Sequence, residues 1–196
     1  MNKRVEFFFD VGSPASYLAW TQLPKICSAA NAELVYRPML LGGVFQATGN
    51  ASPGTIKPKG RYMDADLGRF AKRYGVPLAI NPFFPIITLT LMRGAAGMQL
   101  RSPDRFDAYL QAVFDAIWVH PQNLNEPAIV AKVLGEAGFD PAQFMALVSD
   151  AEVKAVLRAT TEEAVSRGAF GAPTMYVGDT MFFGQDRLDF VREALE

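Results

Sequence analysis

The run Val5-Glu6-Phe7-Phe8-Phe9, closed by Asp10-Val11-Gly12-Ser13-Pro14, constrains this chain more than any other segment. This short, aromatic, β-prone run, four of its five residues apolar, reads as a buried strand, too short to cross a bilayer. Ser13 then offers a hydroxyl as helix N-cap, and Pro14 takes the first helical position, where its missing N–H leaves nothing unpaired. Tyr17, Leu18, Leu23 and Ile26 carry the helix towards Ala30-Asn31. A second strand, Glu33 to Arg37, stops at Pro38. Strand, helix and strand in so short a span form a βαβ unit, so the two strands should be parallel.

Leu40 to Gly60 is rich in Gly, Pro, Ser and Asn and shows no sustained period, so it is expected to be a long loop. Helical patterns follow over Arg61–Tyr74, Ile86–Leu100, a segment opened by Ser102-Pro103-Asp104, Pro127–Gly138, Asp140–Ser149 and Asp150–Arg167. Beyond Gly168, Thr174–Val177, the turn Gly178-Asp179 and Thr180–Phe183 read as a hairpin. Asp186 is expected to cap a last helix carrying Leu188, Val191 and Leu195. The order is βαβ, a helical block, then ββα. This implies an α/β unit made of residues 1–42 and 168–196, interrupted by a connecting loop and helical insertion over 43–167.

The 196 residues carry a net charge of -1, which gives no electrostatic basis for a nucleic-acid partner. One cysteine, Cys27, and one histidine, His120, leave no intrachain disulfide and no metal-ligand cluster. The first residues lack the charged and apolar regions of a secretory signal, and no segment reads as membrane-spanning, so a cytoplasmic protein is expected.

Three short motifs could carry chemistry. Ser13-Pro14 stands at a helix N-terminus, where unpaired N–H groups favour an anion and a hydroxyl could donate to it. Ser102-Pro103 and Asp140-Pro141 repeat the pattern as plain helix starts, so spacing alone favours a simple cap. Gly171-Ala172-Pro173-Thr174 would expose the Ala172 backbone to an extended peptide if Pro173 were cis, and would otherwise be an ordinary strand opening. In Gly184-Gln185-Asp186-Arg187, the Asp186 carboxylate could both cap a helix and hold an ammonium. Tyr17, Trp20, Phe70 and Trp118 are pocket-wall candidates that core packing explains better, and His120 lies just past a helix end.

Taken in order, Phe9-Asp10-Val11-Gly12-Ser13-Pro14-Ala15-Ser16-Tyr17-Leu18-Ala19, Thr48-Gly49-Asn50, Pro58-Lys59-Gly60-Arg61-Tyr62-Met63, Phe170–Met175 and Phe183–Arg187 resemble the 2-hydroxychromene-2-carboxylate isomerases. These are relatives of the kappa-class glutathione transferases. The resemblance spans essentially the whole chain and implies a DsbA-like thioredoxin fold. Where disulfide oxidoreductases of that fold carry Cys-x-x-Cys, this chain has Ser13-Pro14-Ala15-Ser16, so it cannot exchange disulfides itself.

The resemblance further implies glutathione as cofactor, with Ser13 hydrogen-bonding its sulfur and Ala172, before a cis Pro173, pairing with its cysteinyl backbone. Gln185 and Asp186 would take the γ-glutamyl end, and Asn50 and Lys59 the rest of the tripeptide. It implies a homodimer acting on a small aromatic enone: the interconversion of 2-hydroxychromene-2-carboxylate and trans-o-hydroxybenzylidenepyruvate. A kappa-like transferase or peroxidase, or a non-catalytic binding module, are the competing readings. Gly12 and Ala172 replace the commoner apolar residue and valine. The segment 81–93 lacks the isomerases' basic residues, leaving Arg93 to receive a substrate carboxylate, with Tyr17, Trp118 and His120 as further pocket candidates.

Overall fold

A computed structural model describes residues 3–196. Strand β1 (Arg4–Phe9) lies between β2 (Glu33–Pro38) and β3 (Thr174–Val177), with β4 (Thr180–Phe183) at the far edge. β1 and β2 run parallel, in the register Phe7 with Tyr36, as the crossover through α1 (Pro14–Ala29) requires. β3 and β4 are antiparallel additions to the other side of β1. The central strand is covered on both faces. Val5, Phe7 and Phe9 are wholly buried in the main core with Leu18, Leu23, Leu110 and Phe114. Phe8 points the other way, against Met39, Val44 and Tyr176.

Seven helices separate β2 from β3: α2 (Leu41–Thr48), α3 (Lys57–Tyr74), α4 (Leu89–Arg101), α5 (Phe106–Trp118), α6 (Pro127–Glu136), α7 (Pro141–Ser149) and α8 (Ala151–Ser166). The main core is continuous from the sheet and α1 into α4, α5, α6 and α7. On the Phe8 face, Arg37 and Arg167 stack over the Phe8 ring at 5.1 and 5.5 Å. Both also reach the buried Glu6, Arg167 at 2.9 Å and Arg37 at 3.6 Å. Burial alone would raise the Glu6 carboxyl, but the hydrogen bond and charge of Arg167, with Arg4 and Arg37, hold it below its ordinary value.

Three expectations are corrected. The loop expected over Leu40–Gly60 contains α2, a 3-10 turn at Pro53–Thr55 and the first turn of α3. Two glycines make α2 a poor helix by propensity, but tertiary contacts hold its first turn. The Leu40 N–H donates to Thr161 Oγ1 at 2.9 Å and the Leu41 N–H to Asp10 Oδ2 at 2.8 Å. Gly49, at φ +69°, closes it.

The helix expected from Ile86 begins three residues later. Asn125 Oδ1 accepts from the Ile87 N–H at 2.8 Å, and the Thr88 hydroxyl is directed to Asp10. Asp186 is not an N-cap. It lies inside a 3-10 turn, Gln185–Arg187, whose cap is Gly184, and Arg187 is the cap of α9 (Leu188–Glu193).

Candidate active site

A cavity of about 970 Å3 opens at the carboxyl end of β1, where a strand hands over to the N-terminus of α1. Its walls come from five places along the chain: the 10–15 turn, the 40–67 segment, the 84–89 segment and the two turns at 170–172 and 183–186.

Ser13 lines it and is 5% exposed. Its Oγ accepts from the Ser16 N–H at 3.1 Å, as an N-cap should, and donates to the Ala172 carbonyl at 3.0 Å. A hydroxyl has one proton and two lone pairs, so the cap bond can persist while the O–H turns towards another acceptor. The Ala172-Pro173 peptide is cis. Ser16, one turn along, has a buried hydroxyl with no hydrogen-bond partner.

Asp10 is the residue that reading the chain missed. It is 1% exposed and lines the same cavity. Its carboxylate gathers the Gly12 N–H at 2.9 Å, the Leu41 N–H at 2.8 Å and the Thr88 hydroxyl at 3.0 Å. Burial pushes its carboxyl above the ordinary range, against those three hydrogen bonds, which pull it down. Asp10 thereby ties the Ser13 turn, the start of α2 and the start of α4 to one point. An acidic residue directly after the run Phe7-Phe8-Phe9 was the available signal.

Thr88 also explains the departure at Gly12. A Cβ there would meet the Thr88 methyl at 2.7 Å, so Thr88 fills the space that a larger residue 12 would need.

Among the other expected residues, Asn50, Lys59, Ala172, Gln185 and Asp186 line the cavity with Ser13. Asn50 Nδ2 donates to the Phe170 carbonyl at 2.8 Å, joining the 50s segment to the 170 turn. Gln185 is held through its carbonyl, which accepts from the Tyr74 hydroxyl at 2.6 Å. Asp186 is exposed and pairs with Arg187 at 2.5 Å. Gly184, at φ +97°, is required beside it: a Cβ would stand 2.5 Å from Asp186 Oδ1. Pro173 is buried behind Ala172 and its carbonyl accepts from the Gly184 N–H at 3.0 Å.

Four candidates lie elsewhere. Tyr17 is 3% exposed in the core, its hydroxyl donating to the Pro77 carbonyl at 2.8 Å. Trp118 is 2% exposed, with Nε1 donating to the Val11 carbonyl at 2.8 Å. Trp118 therefore supports the turn before Ser13, Tyr17 ties α1 to the segment after α3, and neither lines the cavity. His120 projects into solvent and meets Asp115 at 2.9 Å. Arg93 lines a separate cavity. Trp20 and Phe70 are also packed against the core.

The far end of the main cavity is instead made by Leu40, Phe45, Phe84, Ile86, Ile87 and Leu89. Much of that wall is irregular backbone, organised by Asn81. The buried Asn81 amide donates to the Ile117 and Gln122 carbonyls and accepts from the Phe83 N–H. Cys27, the only cysteine, is 2% exposed, and burial pushes its thiol up to about 11.

A site at the N-terminus of the first helix, facing a cis-proline turn across a mixed sheet, defines a class, and the comparisons agree. The model of the DSBA-like thioredoxin domain matches residues 4–196. A 2-hydroxychromene-2-carboxylate isomerase from Sphingobium xenophagum is 34% identical over 200 residues, covering 100% of this chain and 99% of that protein. Glutathione S-transferase kappa 1 of Homo sapiens is 29% identical, covering 98% and 91%.

The solved structure of a 2-hydroxychromene-2-carboxylate isomerase superposes with a TM-score of 0.85 at 30% identity, over 98% of this chain and 94% of that one. The chain belongs to the DsbA-like thioredoxin family and, within it, to the 2-hydroxychromene-2-carboxylate isomerases and their kappa-class relatives.

Proposed function

We propose that this protein is a glutathione-dependent isomerase that interconverts 2-hydroxychromene-2-carboxylate and trans-o-hydroxybenzylidenepyruvate. The observation that carries the reading is Ser13: a buried cap hydroxyl, free of any neighbouring cysteine, in a cavity that also gathers Asn50, Lys59, Ala172, Gln185 and Asp186.

The donor set fits the tripeptide. Glutathione carries two carboxylates, one ammonium and a thiol, and the cavity offers a cation in Lys59, a carboxylate in Asp186 and a helix N-terminus at Ser13. When bound, glutathione supplies a soft thiolate nucleophile that adds reversibly to a conjugated carbon, so that a double bond becomes a rotatable single bond before the thiolate leaves unchanged.

Ser13 turns its O–H from the Ala172 carbonyl to the sulfur and, with the N-terminal dipole of α1, holds the thiol ionised. Ala172 presents its backbone beside the cis bond to the cysteinyl segment. Lys59 and Asn50 hold one end of the tripeptide, and Gln185 and Asp186 the other. Leu40, Phe45, Ile86 and Leu89 exclude water from the remaining space, where an aromatic enone packs.

For the architecture, we read residues 1–42 and 168–196 as the thioredoxin-like unit and 43–167 as its insertion. A homodimer is supported by Ile56 and Tyr62, large apolar residues 52% and 64% exposed near the cavity rim. A cytoplasmic location follows from dependence on a reduced thiol cofactor; among the described residues, no helix is long and apolar enough to cross a membrane.

The kappa-class relatives favour a second reading, a transferase that consumes glutathione. One assay separates the two. Purified protein should equilibrate the chromene carboxylate with its isomer only when glutathione is present, with free thiol conserved. Equal rates without glutathione would refute the isomerase mechanism, and stoichiometric thiol loss would establish the transferase.

A further inference from the structure

A second cavity, of about 530 Å3, lies on the other side of α2. The short helix is a partition. Leu41, Gly42 and Phe45 face the main cavity, Gly43 and Ala47 face the second, and Leu40 and Leu89 border both. The opposite walls are α8 and the beginning of α4.

The second cavity is apolar and narrow on one side. Gly43 and Ala47 present almost no side chain, and a Cβ on Gly43 would stand 3.2 Å from the Thr161 methyl. Leu40, Leu89, Leu157 and Val165 complete the apolar lining. Its charges are unbalanced. Arg93, one turn beyond Leu89 on α4, joins Lys154 and Arg158, one turn apart on α8, against a single carboxylate, Glu162.

None of these four takes part in an ion pair among the described residues. Along α8 the two cations precede Thr161, on which the start of α2 rests. On α8 the cations therefore lie towards its N-terminus, and the close approach of Gly43 lies towards its C-terminal half.

We infer that this cavity is a second binding site, for a planar aryl carboxylate. The apolar lining takes an aromatic body, and two guanidiniums with an ammonium take the carboxylate, since Arg pairs with carboxylates in a planar, two-pronged geometry. Inorganic phosphate would leave the leucine walls unused, and an uncharged arene would leave the cations unused. Arg93 thus serves a site of its own, behind the wall of the one to which its position in the chain first assigned it.

The test uses trans-cinnamate, a simple aryl carboxylate, titrated by calorimetry into protein saturated with S-hexylglutathione, which fills the main cavity. Cinnamate should still bind, at a dissociation constant of about 1 mM or tighter, and more weakly as salt is raised. Cinnamamide should bind at least about tenfold more weakly, the discrimination expected when a charge-assisted bond is lost. The double variant Arg93→Ala/Arg158→Ala should lose at least as much, and Ala47→Phe, on an exposed helix face, should fill the cavity and abolish binding.

Displacement of cinnamate by S-hexylglutathione would assign it to the main cavity and overturn the inference, as would equal binding of the amide or unchanged binding by the variants. The inference does not rest on glutathione. If S-hexylglutathione fails to bind, the amide and the variants still decide it.

Discussion

Replacing Ser13 by alanine separates its two roles, because each has its own magnitude. The hydroxyl accepts the Ser16 N–H and donates to the Ala172 carbonyl. Loss of a cap costs about 1 kcal/mol, and a carbonyl that loses one donor adds up to about 1 kcal/mol. Ser13→Ala should therefore lower stability by about 1–2 kcal/mol, readable as a shift of the urea midpoint at unchanged slope.

The proposed catalytic role carries a larger magnitude. A hydrogen bond to an ionised sulfur contributes about 1.5–3 kcal/mol. At about 1.4 kcal/mol per pKa unit, this raises the thiol pKa of bound glutathione by about 1–2 units in the variant. The dipole of α1 remains in both proteins, so the difference isolates the hydroxyl.

The assay follows thiolate absorbance of the complex across pH. Ser16→Ala is the control. Its hydroxyl has no partner, so its removal should leave the thiol pKa unchanged and stabilise the protein by about 1 kcal/mol. An unchanged thiol pKa in Ser13→Ala, with the stability loss intact, would reduce Ser13 to a helix cap and refute the proposed catalytic role.

Three further outcomes follow from the geometry. Lys59→Ala and Asp186→Asn should each weaken glutathione binding by up to about 5-fold, the range of exposed charge pairs, with smaller losses at high salt in a calorimetric titration. Gly12→Ala should destabilise by about 1–3 kcal/mol through collision with the Thr88 methyl, and Thr88→Ser, which keeps the hydroxyl for Asp10, should restore most of it in thermal unfolding. Because Glu6 has a lowered carboxyl pKa in the fold, its contribution is present above about pH 4.5 and lost as pH falls through the folded value; Glu6→Gln should flatten that acid limb in stability measured against pH.

The parts of the fold legible in the chain are those dictated locally. The aromatic strand, the Ser13-Pro14 cap and the Gly178-Asp179 hairpin all appear as their residue types require. Helix α2 was illegible because its stability is not its own: Asp10 and Thr161, 31 and 121 residues away along the chain, secure its first N–H groups. The same reason hid the true start of α4, where Asn125 and Asp10 claim the groups of Ile87 and Thr88.

In the site, polar residues at turns were readable because a turn exposes them wherever it sits. Tyr17 and Trp118 were not, since helical spacing is the same for a ring facing a core and a ring facing a cavity. Much of the proper apolar wall, Phe84, Ile86 and Ile87, lies on irregular backbone that no periodicity marks.

The burial of Cys27 has a consequence for the protein's life under oxidants. A catalyst that carries its own reactive sulfur is inactivated when that sulfur is oxidised, and recovery needs a repair enzyme or new synthesis. Here the one thiol of the chain is 2% exposed and held protonated, while the Cys-x-x-Cys slot holds hydroxyls that do not oxidise. On the glutathione-dependent reading proposed above, peroxide would consume the cofactor's thiol in solution and spare the buried thiol of the chain. Activity would then return by exchange with fresh cofactor, so redox damage falls on a replaceable part.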